Sequence, residues 1–250
     1  MSCLIVIPSR MASTRFPGKP LCDLLGKPMI QWVVEAAQTA NLNADVLVAT
    51  PDQEIIDACR RFGCEAMLTR SDHPTGTDRI AEVARSVHAD VYVNVQGDEP
   101  LISARTIHAA AEPLLADGSI PMGSAYAPCP ESEVENPAVV KVVLDQQGYA
   151  LYFSRHAIPY PRNPRVDLVR KHIGIYSFRK DVLLEFSSWA STPLEQTESL
   201  EQLRFLENGV RIRMSEGEPA AIAVDTPEQA EEARLLLQRR LRGSLGSSSP

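Results

Sequence analysis

An apolar run from Leu4 to Ile7 is stopped by Pro8, and a loop bearing Arg10, Arg15 and Lys19 follows directly. A short, uniformly apolar run suits a strand buried on both faces of a parallel sheet. Proline has no N–H to give to a ladder, so Pro8 marks the strand's end. The loop also holds Ser9, Ser13, Thr14 and Gly18, small residues that let the backbone approach a ligand closely. Open α/β sheets bind ligands beyond the carboxyl ends of their strands. A cationic, small-residue loop in that place suits phosphate groups; the plainer alternative is a solvated basic loop. The net charge of −7 argues against nucleic acid as a partner. It also makes a local cationic cluster more informative, because the cluster stands against the global field.

The pattern after this loop alternates. Met29, Ile30, Val33, Val34 and Ala37 recur at helical spacing behind Pro28, which suits a first helical turn. Residues 45–50 read as a second strand. Asp52 is placed to cap a helix whose buried face is Ile55, Ile56, Cys59 and Phe62, with Gly63 at its C-terminal end. Residues 64–68 read as a third strand, and this succession predicts a parallel sheet covered on both faces. The polar loop TRSDHPTGTDR (residues 69–79) opens a helix with Ile80, Val83, Ala84 and Val87 inward. Its hydroxyls could hold a base or a phosphate at the helix N-terminus, or only cap and turn the chain. Residues 90–95 form the next strand, followed at once by Gln96, Gly97 and Asp98, on the same sheet edge as the first loop. Ser103 caps a helix over 104–116 that Pro113 interrupts.

Beyond residue 120 the pattern turns antiparallel. Segments 120–127, 138–144 and 149–154 are strand-like, the last two joined by a turn at Asp145 to Gly148. Residues 156–170 are rich in proline and arginine and read as a surface excursion, and 171–178 returns as a strand. A single amphipathic helix is expected over 194–207, with Leu200, Leu203 and Leu206 inward. Residues 210–214 and 220–224 read as the last strands. Thr226 to Gln229 form a capping box with proline at the first helical position, opening a helix to about Arg240. One domain over 1–242 is expected, with an insertion at about 120–190 and a disordered Gly/Ser-rich tail at 243–250. The five cysteines, Cys3, Cys22, Cys59, Cys64 and Cys129, show no Cys-x-x-Cys spacing and read as free thiols. No apolar run approaches 18 residues and no secretory leader is recognisable, so a cytoplasmic protein without membrane insertion is expected.

Two carboxylates stand where strands end, Asp98 and Asp225. Magnesium takes hard oxygen ligands, commonly one or two carboxylates plus substrate phosphates. With the cationic loop they fit a metal-bound nucleoside triphosphate. Each also has a simpler reading, Asp98 as a turn carboxylate and Asp225 as a helix cap. There is no G-x-x-x-x-G-K-[ST] and no G-x-G-x-x-G after the first strand, which excludes a P-loop protein and argues against a dinucleotide oxidoreductase. From residues alone the chain is a magnesium-dependent enzyme acting on a nucleotide.

The run PSRMASTRFPGKP (residues 8–20) closely resembles the signature of the 3-deoxy-manno-octulosonate cytidylyltransferase (CMP-Kdo synthetase) family. NVQGDEP (94–100), ALYFSR (150–155), KHIGIY (171–176) and LEQLR (200–204) resemble further stretches of the same family, in order, so the likeness spans about residues 4–240. It implies a Rossmann-like, mixed and mostly parallel sheet of the nucleotide-diphospho-sugar transferase type. It implies a nucleotidyltransferase that activates Kdo with CTP, giving CMP-Kdo and pyrophosphate for lipopolysaccharide biosynthesis, with magnesium as cofactor. It further implies a homodimer formed through residues 150–190. By the same resemblance Arg10, Ser13, Arg15 and Lys19 grip the triphosphate, with Arg10, Lys19, Asp98 and Asp225 catalytic. Asp98 and Asp225 hold the metal. His73, Thr75, Gly76 and Gln96 contact the cytidine, and Arg155, His172, Tyr176, Glu201 and Gln202 form the sugar pocket. Where the family often has glycine shortly before Val-Asp, this chain has Ala221 and Ala223, and Gln229 stands where the family usually has aspartate. A glycosyltransferase would ordinarily show Asp-x-Asp, whereas Asp98 is followed by Glu99 and Pro100. A non-catalytic nucleotide-binding module would tolerate loss of the Asp98 charge.

Overall fold

The computed structural model describes residues 1–163, 168–219 and 222–246. The chain starts with β1 (Cys3–Pro8), a 3-10 turn (Lys19–Leu21), and a two-stranded ribbon of β2 (Asp23–Leu24) and β3 (Lys27–Pro28). It continues through α1 (Met29–Gln38), β4 (Asp45–Thr50), α2 (Gln53–Arg61), β5 (Glu65–Leu68), α3 (Gly76–Ser86), β6 (Val91–Asn94) and α4 (Ala104–Ala116). The second half comprises β7 (Met122–Pro128), α5 (Glu131–Val134), β8 (Lys141–Leu144), β9 (Ala150–Ser154), β10 (Arg170–Arg179) and α6 (Lys180–Phe186). It ends with α7 (Pro193–Glu198), α8 (Gln202–Glu207), β11 (Ile212–Glu216) and α9 (Pro227–Gly246).

The main sheet runs β11-β7-β10-β6-β1-β4-β5, with β8 and β9 attached to β10 as an antiparallel hairpin. β1 pairs in parallel with β4 and β6, β4 with β5, and β11 with β7; β10 is antiparallel to both of its long neighbours. The expected mixed, mostly parallel sheet with a small antiparallel addition is therefore what forms. The apolar run of β1 divides between two cores, because successive strand side chains face opposite sides. Cys3, Ile5 and Ile7 pack with residues of α1, α2 and α4, while Leu4 and Val6 pack with residues of α3, α6 and α8. A third apolar cluster seats α9, through Ala230, Ala233 and Leu237, against Leu24, Met29 and Leu101. That contact carries Asp225, two residues before α9, to the loop after β1.

Four expectations are corrected. The helix expected over 194–207 is two short helices, broken at Ser199, which sits in the left-handed region at φ +52°. Glu195 holds the first piece shut, accepting from the Thr192 N–H and pairing with Arg204 on the second. Residues 222–224 are not a strand, and Ala220 and Ala221 lie outside the described residues. The Val224 N–H instead donates to the Asp98 backbone carbonyl at 2.8 Å. Asp52 flanks α2 without capping it; its carboxylate accepts from the Met11 N–H at 2.7 Å. The last helix continues past Arg240 to Gly246, so the expected tail begins inside it, and 247–250 lie outside the described residues. Leucine, glutamine and arginine fill positions 235–242 and are good helix formers.

Candidate functional site

The end of β1 is the organising point. The Gly18 N–H returns to the Met11 carbonyl at 2.9 Å, and Gly18 adopts φ +75°, a conformation glycine takes without a Cβ penalty. This closes the loop and starts the turn that carries Lys19. The Lys19 ammonium donates to Asp98 Oδ2 at 2.7 Å, Asp225 Oδ1 at 3.0 Å and the Val224 carbonyl at 3.0 Å. Arg15, largely exposed, pairs with the other Asp225 oxygen at 2.9 Å. Burial works against the charge on Lys19, but Asp98 and Asp225 outweigh it and hold its pKa above the usual lysine value. Gly97 keeps the sheet edge tight, since a Cβ there would lie 2.9 Å from the Pro8 carbonyl oxygen. The capping box of α9 fixes the far side: Gln229 Oε1 accepts from the N–H groups of Asp225 and Thr226.

These groups face a cavity of about 730 Å³, a size that suits a small-molecule ligand. Its lining includes Arg10, Ser13, Arg15, Lys19, His73, Thr75, Gly76, Gln96, Asp98 and Asp225, every residue expected to touch nucleotide or metal. His73 is held by Glu82, which also accepts from the Arg70 N–H. Thr75 caps α3 by accepting from the Asp78 N–H. The Gln96 amide nitrogen donates to Asn94 Oδ1 at 3.3 Å. A second hollow of about 610 Å³, lined by Leu21, Asp23, Arg61 and Phe62 among others, contains none of the expected residues.

The residues expected to hold a sugar gather next door. The Tyr176 hydroxyl donates to Gln202 Oε1 at 3.1 Å, and Gln202 Nε2 is buried with no partner among the described residues. An orphaned buried donor of this kind implies an acceptor brought by something else. Ser124 donates to the Ile175 carbonyl at 2.7 Å, so at 2.9 Å from His172 Nε2 it must accept. That places the imidazole proton on Nε2 and leaves Nδ1 as an acceptor. Burial keeps this imidazole neutral, with its pKa pushed down to about 3. Glu201 accepts from the Thr77 hydroxyl, one residue past Gly76 of the cavity lining. Burial raises the Glu201 carboxyl against the pull of Thr77 and Thr75. The break at Ser199 turns the chain just before Glu201 and Gln202, and these reach α3 and β10 respectively. Arg155 stands apart: its guanidinium donates to the carbonyls of Glu198 at 2.7 Å, Pro137 at 3.1 Å and Ser199 at 3.2 Å. In this arrangement it braces the insertion against the α7–α8 junction and lies outside the cavity lining.

Four residues outside the expected site set also contribute. Asp52 anchors the first loop. Ser9, whose buried hydroxyl has no partner among the described residues, lines the same cavity. Glu99 lies between the two halves, its Oε1 3.6 Å from where a Gly174 Cβ would be, and burial with the Asp98 charge pushes its carboxyl pKa up to about 7. Arg79 is buried and lines the cavity. Two of them carried a signal in sequence, Ser9 as a small residue of the first loop and Glu99 as the acid next to Asp98; the places of Asp52 and Arg79 depend on contacts between distant segments.

The two carboxylates test the expected magnesium. Oxygens of Asp98 and Asp225 already converge on one cationic group, Lys19 Nζ, so the pair presents hard donors to a shared positive charge. Among the described residues no cluster of three or more metal-ligating side chains exists. Two carboxylates completed by substrate phosphates and water is a donor set magnesium accepts, so the residues fit the ion.

A family model described as cytidylyltransferase matches residues 4–212. A 3-deoxy-manno-octulosonate cytidylyltransferase of Syntrophotalea carbinolica is 50% identical over 238 residues, covering 91% of this chain and 95% of that one. The protein of that name from Escherichia coli is 44% identical over 95% of this chain and 97% of its own length. A solved CMP:2-keto-3-deoxy-manno-octonic acid synthetase complexed with CTP superposes with a TM-score of 0.93 at 43% identity, over 96% of this chain and all of that chain.

Proposed function

This chain belongs to the 3-deoxy-manno-octulosonate cytidylyltransferase family, and from that premise we propose that its cavity joins Kdo to the cytidylyl group of CTP. The Kdo anomeric oxygen bonds to the α-phosphorus, the bond from that phosphorus to the α,β-bridging oxygen breaks, and pyrophosphate leaves with the electron pair. The hydroxyl proton passes to solvent. The observation that carries the reading is the convergence of Lys19, Asp98 and Asp225 at the end of β1. Little covalent work falls to the protein in such a transfer; alignment and charge stabilisation do most of it.

Lys19, Arg15 and Arg10 hold the polyphosphate and offset its charge, with Ser13 closing the loop around it. Asp98 and Asp225 hold magnesium, which when bound withdraws charge from the phosphates. Gln96 and the loop with His73, Thr75 and Gly76 seat the cytidine. Tyr176, Gln202, His172 and Glu201 seat the sugar, with the Gln202 amide donating to one of its oxygens. Arg155 serves this pocket by fixing the segment before Glu201, and its fork suits the sugar's carboxylate if the brace is released. The expected result is pyrophosphate release that needs CTP, Kdo and magnesium together. Folded protein that releases none with all three present overturns the reading. The product serves lipopolysaccharide biosynthesis, and the reaction runs in the cytoplasm; no helix among the described residues is long and apolar enough to cross a membrane.

The active form we propose is a homodimer built through the insertion. Leu151 on β9 and Tyr160 in the following excursion are 61% and 86% exposed, large apolar side chains that a second copy would cover. Sedimentation at twice the monomer mass is expected, and Leu151→Glu with Tyr160→Glu should return the chain to one copy. A parent chain that sediments as a monomer ends this proposal without touching the chemistry.

A further inference from the structure

The insertion holds a buried cation that lies outside the nucleotide cavity and its metal site. Lys141, the first residue of β8, is fully buried. Lysine is rarely buried so completely unless paired. Of the carboxylates whose fields reach it, Glu135 is exposed. Glu198 is engaged by the Ser154 hydroxyl at 2.7 Å and the Arg155 N–H at 2.9 Å. The Lys141 ammonium donates instead to three backbone carbonyls, Asn136 at 2.9 Å, Val139 at 2.7 Å and Arg155 at 2.6 Å, one for each of its hydrogens. Burying a charge against neutral acceptors is costly, and an apolar side chain would fill the same space without that cost. What the ammonium supplies and an apolar side chain cannot is a tie between separate segments.

Each tied segment runs into a wall of the sugar pocket. The segment 136–139 leads straight to Val140, whose carbonyl accepts from the His172 N–H at 2.8 Å. Phe153, two residues before Arg155, pairs with Val142 of β8, and its ring meets the His172 imidazole edge-on with centroids 4.9 Å apart. The Arg155 end serves the opposite wall. Lys141 holds the Arg155 carbonyl and Glu198 holds its N–H, so both polar groups of that backbone unit are fixed. From this fixed base the guanidinium reaches the carbonyls of Pro137, Glu198 and Ser199. Ser199 is the left-handed residue that turns the chain into Glu201 and Gln202. Lys141 and Arg155 therefore lock 136–139, 155 and 198–199 into one assembly. His172 is backed by one side of it, and Glu201 and Gln202 issue from the other.

Resting on the cytidylyl-transfer reading, we propose that Lys141 is a positioning residue for the sugar: it touches no substrate, and it sets His172 against Glu201 and Gln202 by fixing the backbone behind both. Site residues need such support, because a misplacement of about 1 Å caused far from the chemistry can cost on the order of a hundredfold. Steady-state rates of the parent and of Lys141→Met test this, with Kdo varied at saturating CTP and then the reverse. Methionine keeps the unbranched stem and removes the three donors. The KM for Kdo should rise at least about tenfold while the KM for CTP stays within about twofold. A folded variant with an unchanged KM for Kdo, or with both constants raised together, overturns the proposal, since a brace that only holds the fold together has no reason to single out the sugar. If Lys141→Met does not fold, Glu198→Ala decides, because it frees the Arg155 backbone from its other end and leaves the ammonium in place. It should raise the KM for Kdo at least about threefold with that for CTP unchanged, and no effect, or an equal effect on both, overturns the assignment. Titration of Kdo into protein saturated with α,β-methylene-CTP, whose bridge cannot break, separates this question from the reaction. A parent that releases no pyrophosphate from CTP, yet binds Kdo at least about tenfold more tightly than Lys141→Met does, fails the transferase reading alone. A parent that turns over and binds Kdo no more tightly than the variant fails the positioning assignment alone, and one that neither binds Kdo nor turns over ends both.

Discussion

Asp98→Asn should leave the fold intact and lower turnover by on the order of a hundredfold or more, the size expected when one preorganised charge at a reacting centre is removed. The substitution is nearly isosteric. The structural work at this position belongs to the backbone: the Asp98 carbonyl accepts from Val224, and Gly97 seats the preceding residue against Pro8. An asparagine preserves both, and its amide oxygen can still accept from Lys19. What disappears is one of the two negative charges that converge on the ammonium. Thermal melting and far-UV circular dichroism should therefore match the parent, while pyrophosphate release collapses. CTP binding measured without Kdo distinguishes the alternatives: a non-catalytic nucleotide module would bind CTP equally before and after the change and would have no turnover to lose. A near-parental rate in a folded variant would remove Asp98 from the reacting centre.

Much of this site could be read from the chain because its parts obey local rules. The run ending at Pro8 must be a central strand, as it has no polar face. The alternation that follows can be covered only by helices on both sides, and strand-end residues of such a sheet lie along one edge. Arg10, Lys19 and Asp98 thereby fall together without any knowledge of distances. Asp225 reaches the same edge by a route its local sequence does not show. It follows irregular chain rather than a strand, and α9 brings it in through apolar contacts of Ala230, Ala233 and Leu237. The helix expected over 194–207 shows why periodicity misleads. Its leucines keep helical spacing, but Ser199 in the left-handed region has no composition to announce it, since serine does not favour that conformation as glycine or asparagine does. The β2–β3 ribbon was missed for a similar reason: Leu25 and Gly26 both take positive φ, and leucine is not a residue from which such a turn would be predicted. Asp52 illustrates competition between partners. Its position next to α2 is that of a cap, yet the Met11 N–H claims the carboxylate, and that claim arises only once β1 and β4 are paired. Arg79 was invisible for the same reason, as nothing local marks a surface-type residue that the assembled cavity will enclose.

Lys19→Met should give the larger loss of activity, roughly a hundred- to a thousandfold in kcat/KM, and unlike Asp98→Asn it should also be felt by the free protein. Methionine fills much of the lysine stem's volume, so packing beside the 3-10 turn is preserved. The lost group is the ammonium, whose three hydrogen bonds join Asp98, Asp225 and the Val224 carbonyl. Without it the two carboxylates face each other uncompensated and Val224 loses an acceptor bond. The side chains of Asp98 and Asp225 are about a third exposed, so solvent screens part of this repulsion, and a loss of about 1–2 kcal/mol in unfolding free energy is the expected scale. The same repulsion should make the variant respond more strongly than the parent to magnesium. A divalent ion would then relieve a carboxylate pair that the parent already neutralises with its own lysine. Urea unfolding with and without magnesium reads this independently of catalysis. A larger magnesium stabilisation in Lys19→Met than in the parent places Asp98, Asp225 and Lys19 in one electrostatic unit. An identical response in the two proteins would mean that the ion, wherever it binds, does not share those carboxylates with Lys19, and the metal assignment would have to be given up even if turnover were lost.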